Sequence, residues 1–194
     1  MLSKAKIKLI HSLELKKFRN ETDTFVAEGN ILVAYILPVF TCELLIAQSE
    51  WLVAQGPVKA KEVIEVTEEE MRKASLQKSP QQVLGIFKRP QASLAEVDPA
   101  TALVLALDGV QDPGNLGTIV RLADWFGIQH IVCSRDTADL FAPKTVQATM
   151  GALARVCVHY TDLATYLAAQ QMKGIPIYGT FLDGKDIYQE PLSS

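Results

Sequence analysis

The chain has 194 residues, 48% apolar and 21% charged, with a net charge of −3. That is ordinary composition for a soluble globular chain long enough to bury a core, as one large domain or two small ones. It excludes attraction to polyanions by overall charge. Three widely spaced cysteines (Cys42, Cys133, Cys157) without CxxC spacing, and three scattered histidines, argue against a disulfide framework or a zinc site. They predict buried thiols in a cytoplasmic protein and no bound metal. Lys4, Lys6 and Lys8 interrupt any secretory core at the start. The longest apolar stretch, 31–47, carries Pro38 and Glu43 and falls short of the ~20 residues a membrane helix needs.

In chain order, a basic amphipathic helix is expected over about 3–18. Residues 1–19 hold six basic residues against Glu14 alone, so a local excess of five positive charges leaves −8 on the remainder. Such a face is either simply solvated or a contact for phosphates, and the second makes binding salt-dependent. "DTFVAEG" then reads as a strand and "NILVAYIL" as a helix stopped by Pro38. "CELLIA" reads as a strand, "SEWLVAQG" as a short helix and "EVIEV" as a strand. Thr67 and Glu70 form a capping box ahead of the helix "EEEMRKAS", and "QQVLGIF" is a further strand. Two prolines and no periodicity mark a linker within 88–101. Beyond it, "ALVLAL" reads as a strand buried on both faces, followed by a helix from about 115 to 126 and the strand "HIVCS". A short helix near "APKTVQATMG", the strand "ARVCV", the helix "DLATYLAAQQM" and the strand "IPIYGTF" complete the alternation. It predicts an α/β fold with a mostly parallel sheet.

The ligand crevice of an open α/β sheet lies at the carboxyl ends of its strands, which places it at 108–115. Asp112 before Pro113 favours a turn, Gly114 relaxes the backbone, and Asn115 is expected to cap the helix. There is no GxGxxG and no GxxxxGK[ST], so dinucleotide and phosphate-loop readings fail. Leu116, Ile119, Val120, Ala123 and Phe126 form the expected core stripe, with Gly117, Arg121 and Asp124 opposite. A glycine inside a helix costs about 1 kcal/mol against alanine, which makes sense at Gly117 if a backbone or ligand packs there. Arg121 reads either as a surface ion pair with Asp124 or as a ligand contact, and Trp125 as a subunit-interface residue or a base-stacking one.

"LDGVQDPGNLGTIVRLADWFGIQHIV" resembles the first signature motif of the SpoU/TrmH family of RNA 2′-O-ribose methyltransferases. Asp108, Val110, Asp112, Pro113, Asn115, Gly117, Arg121, Ala123, Phe126 and Gly127 meet every fixed position. "LKKFRNETDTFVAEG" is similar to the opening of the family's ribosomal-protein-like substrate-binding domain, and "APKTVQATMGAL" to its segment after the second strand. The resemblance implies an L30e-like α/β/α domain over 1–90, a linker over 91–101 and an α/β-knot methyltransferase domain over 102–194. It implies S-adenosylmethionine as donor, a ribose hydroxyl of RNA (ribosomal rather than transfer RNA) as acceptor, and a homodimer. Arg121 and Asn115 carry over as catalytic residues, Thr180, Phe181 and Leu182 as a wall of the cofactor site, and Lys16, Lys17, Arg19 and Lys144 as RNA contacts. A guanidinium is effectively always protonated, so positioning or alkoxide stabilisation suits Arg121 better than proton acceptance.

The family's two later motifs, a Gly-Asn-Glu-x-x-Gly loop and a segment ending Ser-Leu-Asn-Val, are not found in these 194 residues. The expectation is therefore a methyltransferase whose residues 1–194 do not methylate alone. The alternative is a non-catalytic RNA-binding and dimerisation module.

Overall fold

The computed structural model describes residues 1–180, 183–186 and 189. Two sheets organise them. The first contains β1 (Thr24–Glu28), β2 (Cys42–Ala47), β3 (Val63–Glu65) and β4 (Val83–Lys88) in the order β1-β4-β2-β3. β4 runs antiparallel to both neighbours, and β2 and β3 are parallel. The second sheet is all parallel, β5 (Val104–Leu107), β6 (His130–Ser134) and β7 (Cys157–Thr161) in chain order. Between the sheets the chain has a single 3-10 turn, Leu94–Glu96.

Side-chain alternation decides what each face of the first sheet covers. Val26, Leu44, Ile46, Leu84 and Ile86 pack with Ile10 and Leu13 of the α1 region (α1, Lys4–Ser12) and with Met71 and Ala74 of a later helix, Glu68–Ala74. That later helix opens on the expected Thr67–Glu70 capping box. The opposite face presents Phe25, Ala27, Leu45, Ala47, Val83 and Phe87 to the helices Asn30–Ile36 and Ser49–Gln55. The result is helix, sheet, helix. This second cluster also takes in Leu116, Val120, Ala123, Ile131, Leu140 and Val146 from the other half of the chain. One continuous core therefore joins the two sheets, with Phe25 and Phe141 in ring contact across it at 5.0 Å.

Several expectations need correction. The basic N-terminal helix is two helices, α1 and α2 (Lys16–Thr22). Three-residue turns at Leu13, Glu14 and Leu15 break it, and Arg19 Nη1 takes the carbonyls of Leu13 and Glu14 at 2.8 and 2.7 Å. β5 is not buried on both faces. It lies at the edge of the second sheet, and Ala106 is exposed. β7 starts later than expected, because the amides of Arg155 and Val156 are committed to a turn on Ala152 O. Phe126 leaves the core stripe and is 73% exposed; Gly127, at φ +73°, turns the chain so that Ile128 packs inward instead. Residues 175–180 form no strand: Pro176 lacks an amide proton, and no strand pairs with the segment.

The second sheet is followed at each step by a helix. α6, as we number it, spans Pro113–Trp125 after β5; α7 (Pro143–Thr149) follows β6; α8 (Leu163–Met172) follows β7. Numbering is by chain order, with the helices at Asn30–Ile36, Ser49–Gln55 and Glu68–Ala74 as α3 to α5. Where α6 meets α7 the fit is tight. A Cβ on Gly117 would lie 2.4 Å from Ala148 Cβ and 3.0 Å from the carbonyl oxygen of Thr145. Gly117→Ala gains about 1 kcal/mol of helix propensity, but the clash with α7, part of it backbone, costs more, about 1–3 kcal/mol. The expected outcome is a lower urea midpoint for Gly117→Ala than for the parent chain. A raised midpoint would show that the helices pack more loosely.

Candidate functional site

The site begins where β5 ends. Gly109 takes a positive φ of 61°, and its amide donates to Ser134 Oγ at 2.8 Å, tying the loop to the end of β6. Ser134 Oγ lies 3.1 Å from Thr137 Oγ1, which also reaches Leu107 O at 3.4 Å. The amide of Ala138 donates to Val110 O at 2.9 Å. The 108–112 loop is thus held at Gly109 and Val110 by the end of β6 and the segment after it.

α6 starts on Asp112, not on Asn115 as expected. The Asp112 side chain accepts from the Asn115 amide at 2.7 Å, and Pro113 fills the first turn, where a missing amide proton does no harm. Asn115 is therefore inside the helix with its side chain exposed. Arg121 lies further along the same helix, roughly 9 Å on at 1.5 Å per residue. It is exposed, and among the described residues it has no hydrogen-bond or ion-pair partner. The expected link to Asp124 is absent, because Asp124 is held by Arg155, whose Nε donates to it at 2.5 Å. Arg155 in turn stacks over the Tyr35 ring, 4.8 Å from its centroid.

Of the four expected RNA contacts, Lys16, Lys17 and Lys144 are exposed, and Lys17 makes only a 3.9 Å pair with Glu21. Arg19 is corrected: it is 2% exposed and bonded to Asp139 Oδ2 at 2.7 Å, so it cannot reach a phosphate. The carbonyls at the α1–α2 break and this carboxylate use its donors, which charge counting could not foresee. Lys144 lies on the rim of a cleft of about 310 Å³ between the two halves, lined also by Val26, Glu28, Leu76, Gln77 and Gln147. Glu28 is buried there, and desolvation raises its carboxyl above the usual range although Ser75 Oγ and the Leu76 amide donate to it.

Of the cofactor wall, Phe181 and Leu182 lie outside the described residues, and Thr180 is exposed. Neither this cleft nor a second one lined by Phe40, Arg89 and Phe141 includes Thr180, Asn115 or Arg121. Thiol chemistry is equally remote: all three cysteines are free, and burial pushes Cys42 and Cys133 up to about 12.

Residues 102–194 match the SpoU rRNA Methylase family, and residues 4–85 match the MRM3-like substrate binding domain. The two matches set a SpoU methylase module after an MRM3-like substrate binding module. The chain is 32% identical to the 23S rRNA (guanosine(2553)-2′-O)-methyltransferase of Bacillus subtilis, over 95% of this chain and 73% of that protein. It is 30% identical to the mitochondrial rRNA methyltransferase 3 of Xenopus laevis, over 75% of this chain but only 37% of that one. A TrmH-family RNA methyltransferase structure from Porphyromonas gingivalis superposes with a TM-score of 0.87 at 44% identity, over all of this chain and 76% of that one. The AdoMet-bound rRNA methyltransferase of Sinorhizobium meliloti does so with a TM-score of 0.71 at 32% identity, over 88% and 67%. The chain belongs to the SpoU/TrmH family of RNA 2′-O-ribose methyltransferases, whose methyl donor is S-adenosylmethionine.

One histidine pair sits in the second sheet. His130 Nδ1 and His159 Nε2 are 3.1 Å apart, so one ring must donate to a neutral partner. His159 is 5% exposed; burial, then repulsion from His130, lowers its pKa, with Glu96 opposing. Folded His159 therefore binds fewer protons than the unfolded chain below about pH 6.5. Its contribution is complete above that pH and is lost as pH falls toward the depressed folded value. Urea titrations should show stability falling with acid by at most ~1.4 kcal/mol per pH unit in this window, and His159→Gln should flatten the slope. An unchanged slope in the variant would remove the pair as its cause.

Proposed function

We propose that this protein methylates a ribose 2′-hydroxyl of ribosomal RNA, with Arg121 acting on the sugar-phosphate of the target nucleotide. The observation that carries the reading is Arg121 itself: an exposed guanidinium without a protein partner, on a helix packed hard against its neighbour, in a motif matched at every fixed position. S-adenosylmethionine supplies the methyl group when bound. What the chain's own residue supplies is placement and charge. A guanidinium can clamp a phosphate with two parallel hydrogen bonds, or stabilise the alkoxide that develops as the hydroxyl attacks. It stays protonated and is unsuited to accept the hydroxyl proton. Bacillus and Pseudomonas relatives named for guanosine methylation in 23S rRNA make a guanosine of the large-subunit RNA the first nucleotide to map. The free thiols accord with a reducing cytoplasm.

Tritiated methyl transfer from S-adenosylmethionine to ribosomal RNA, measured with residues 1–194 and with a chain extended through the family's two later motifs, tests this. Arg121→Ala should lower kcat by about two to three orders of magnitude, as loss of a transition-state donor does, while RNA affinity changes little. Transfer that persists undiminished in the variant removes Arg121 from the site.

The same helix supports a homodimer as the working unit. Leu122, Trp125 and Phe126 are 52%, 84% and 73% exposed, beside Arg121. Such an apolar surface marks an interface more often than bare solvent exposure. A second copy covering it would bring Arg121 to the subunit boundary. Sedimentation should show a dimer that Trp125→Glu converts to monomer. A monomeric parent chain would defeat this part of the reading.

A further inference from the structure

The basic helix and the methylation motif lie in different halves of the chain, yet hydrogen bonds connect them step by step. Lys16 and Lys17 are exposed on α2, and Arg19 of the same helix points inward. Its Nε and Nη2 donate to Asp139 Oδ2 at 3.2 and 2.7 Å, while Nη1 holds the carbonyls of Leu13 and Glu14. The other carboxylate oxygen of Asp139 accepts from the Phe141 amide at 3.0 Å. Next to Asp139, the Ala138 amide donates to Val110 O in the motif loop, two residues before the Asp112 cap of α6. The Tyr160 hydroxyl donates to Ala138 O at 2.6 Å and accepts from the Leu140 amide at 2.8 Å, pinning the segment from the β7 side. A second contact runs parallel: Arg89 bonds Asp23, at the end of α2, and stacks over Phe141.

We propose that Arg19 is a positioning residue, which through Asp139 fixes the RNA-facing helix α2 relative to the motif loop 108–112. The inference rests on the RNA reading above and adds a residue that reading does not use. RNA held by Lys16 and Lys17 is then registered at a set distance from Arg121. Because both ends of the link are hydrogen-bonded, occupancy of α2 is felt at the loop. A flexible tether would give the same affinity without the registration.

Amide hydrogen exchange of the full chain, with and without a ribosomal RNA transcript, reads the link directly. In the parent chain RNA should slow exchange at Gly109 and Ala138 by about tenfold, the scale of a typical coupling. Arg19→Met and Asp139→Asn should keep most RNA affinity but lose that protection, and Arg19→Lys should restore part of it. Lys16→Glu with Lys17→Glu should lose affinity and leave exchange at Gly109 in the free protein unchanged. In methyl-transfer assays of a chain extended through the family's two later motifs, Arg19→Met should lower kcat more than it raises the KM for RNA. Thermal melts confirm that each variant is folded, and Asp139→Asn serves if Arg19→Met is not. RNA bound with undiminished protection at Gly109 in the folded variants overturns the coupling alone. No RNA binding by the parent chain overturns the functional reading, and the coupling with it.

Discussion

A guanidinium taken out of water must have its donors matched, and Arg19 meets that condition with four hydrogen bonds from three positions. Much of the architecture follows from it. Two of its acceptors are carbonyls freed where α1 stops, so the break between α1 and α2 and the burial of Arg19 explain each other. Its carboxylate partner comes from 120 residues further on, so satisfying the charge also sets one half of the chain against the other. Removing one partner of such a pair costs about 3–5 kcal/mol, because the survivor stays buried and unpaired. The surface pairs on α5, Arg72 with Glu68 and Lys73 with Glu69, stand in water that screens them and count for far less. Among the described residues, the Arg19–Asp139 pair is the most deeply enclosed of the ion pairs.

Arg19 and Arg121 have the same chemistry and opposite situations. The first is wholly enclosed and satisfied; the second stands on a helix surface with its donors open. Nothing in local composition separates them. Arg121 was legible because it occupies one fixed position of a ten-position pattern, and that pattern constrains a turn, a cap and a close helix contact together. Gly117 shows the same logic: a residue unfavourable for a helix marked a tight approach, and the approach is that of α7. Arg19 carried no such mark. In the sequence it is one more basic residue on a stretch that reads as a continuous helix, and only Asp139 reveals its direction.

The elements themselves were legible for a local reason. Strand periodicity, the Thr67–Glu70 capping box and the Pro38 stop all act within a few residues, and each appears where local chemistry places it. Part of what failed depends on distant partners. β5 reads as doubly buried from its apolar run but lies at a sheet edge, and the apolar 175–180 segment has no strand to pair with. Phe126 fits the core stripe on a helical wheel, yet Gly127 ends the helix and gives its place to Ile128. The histidine pair spans two strands whose register could not be inferred from either one.

These constraints converge on the support that the fold gives Arg121. Orienting a ribose hydroxyl within the few tenths of an ångström that reaction requires demands a rigid support. Here α6 is fixed at its start by Asp112 and Pro113, along its flank by the Gly117–Ala148 contact, and near its end by the Asp124–Arg155 pair. Arg155 rests in turn on Tyr35 of the substrate-binding half, just as Asp139 rests on Arg19. Two independent contacts thus bear on the two ends of the segment that carries Arg121, both from the half that matches the MRM3-like substrate binding domain. A long side chain with several rotatable bonds can be placed precisely only when its backbone is held this way.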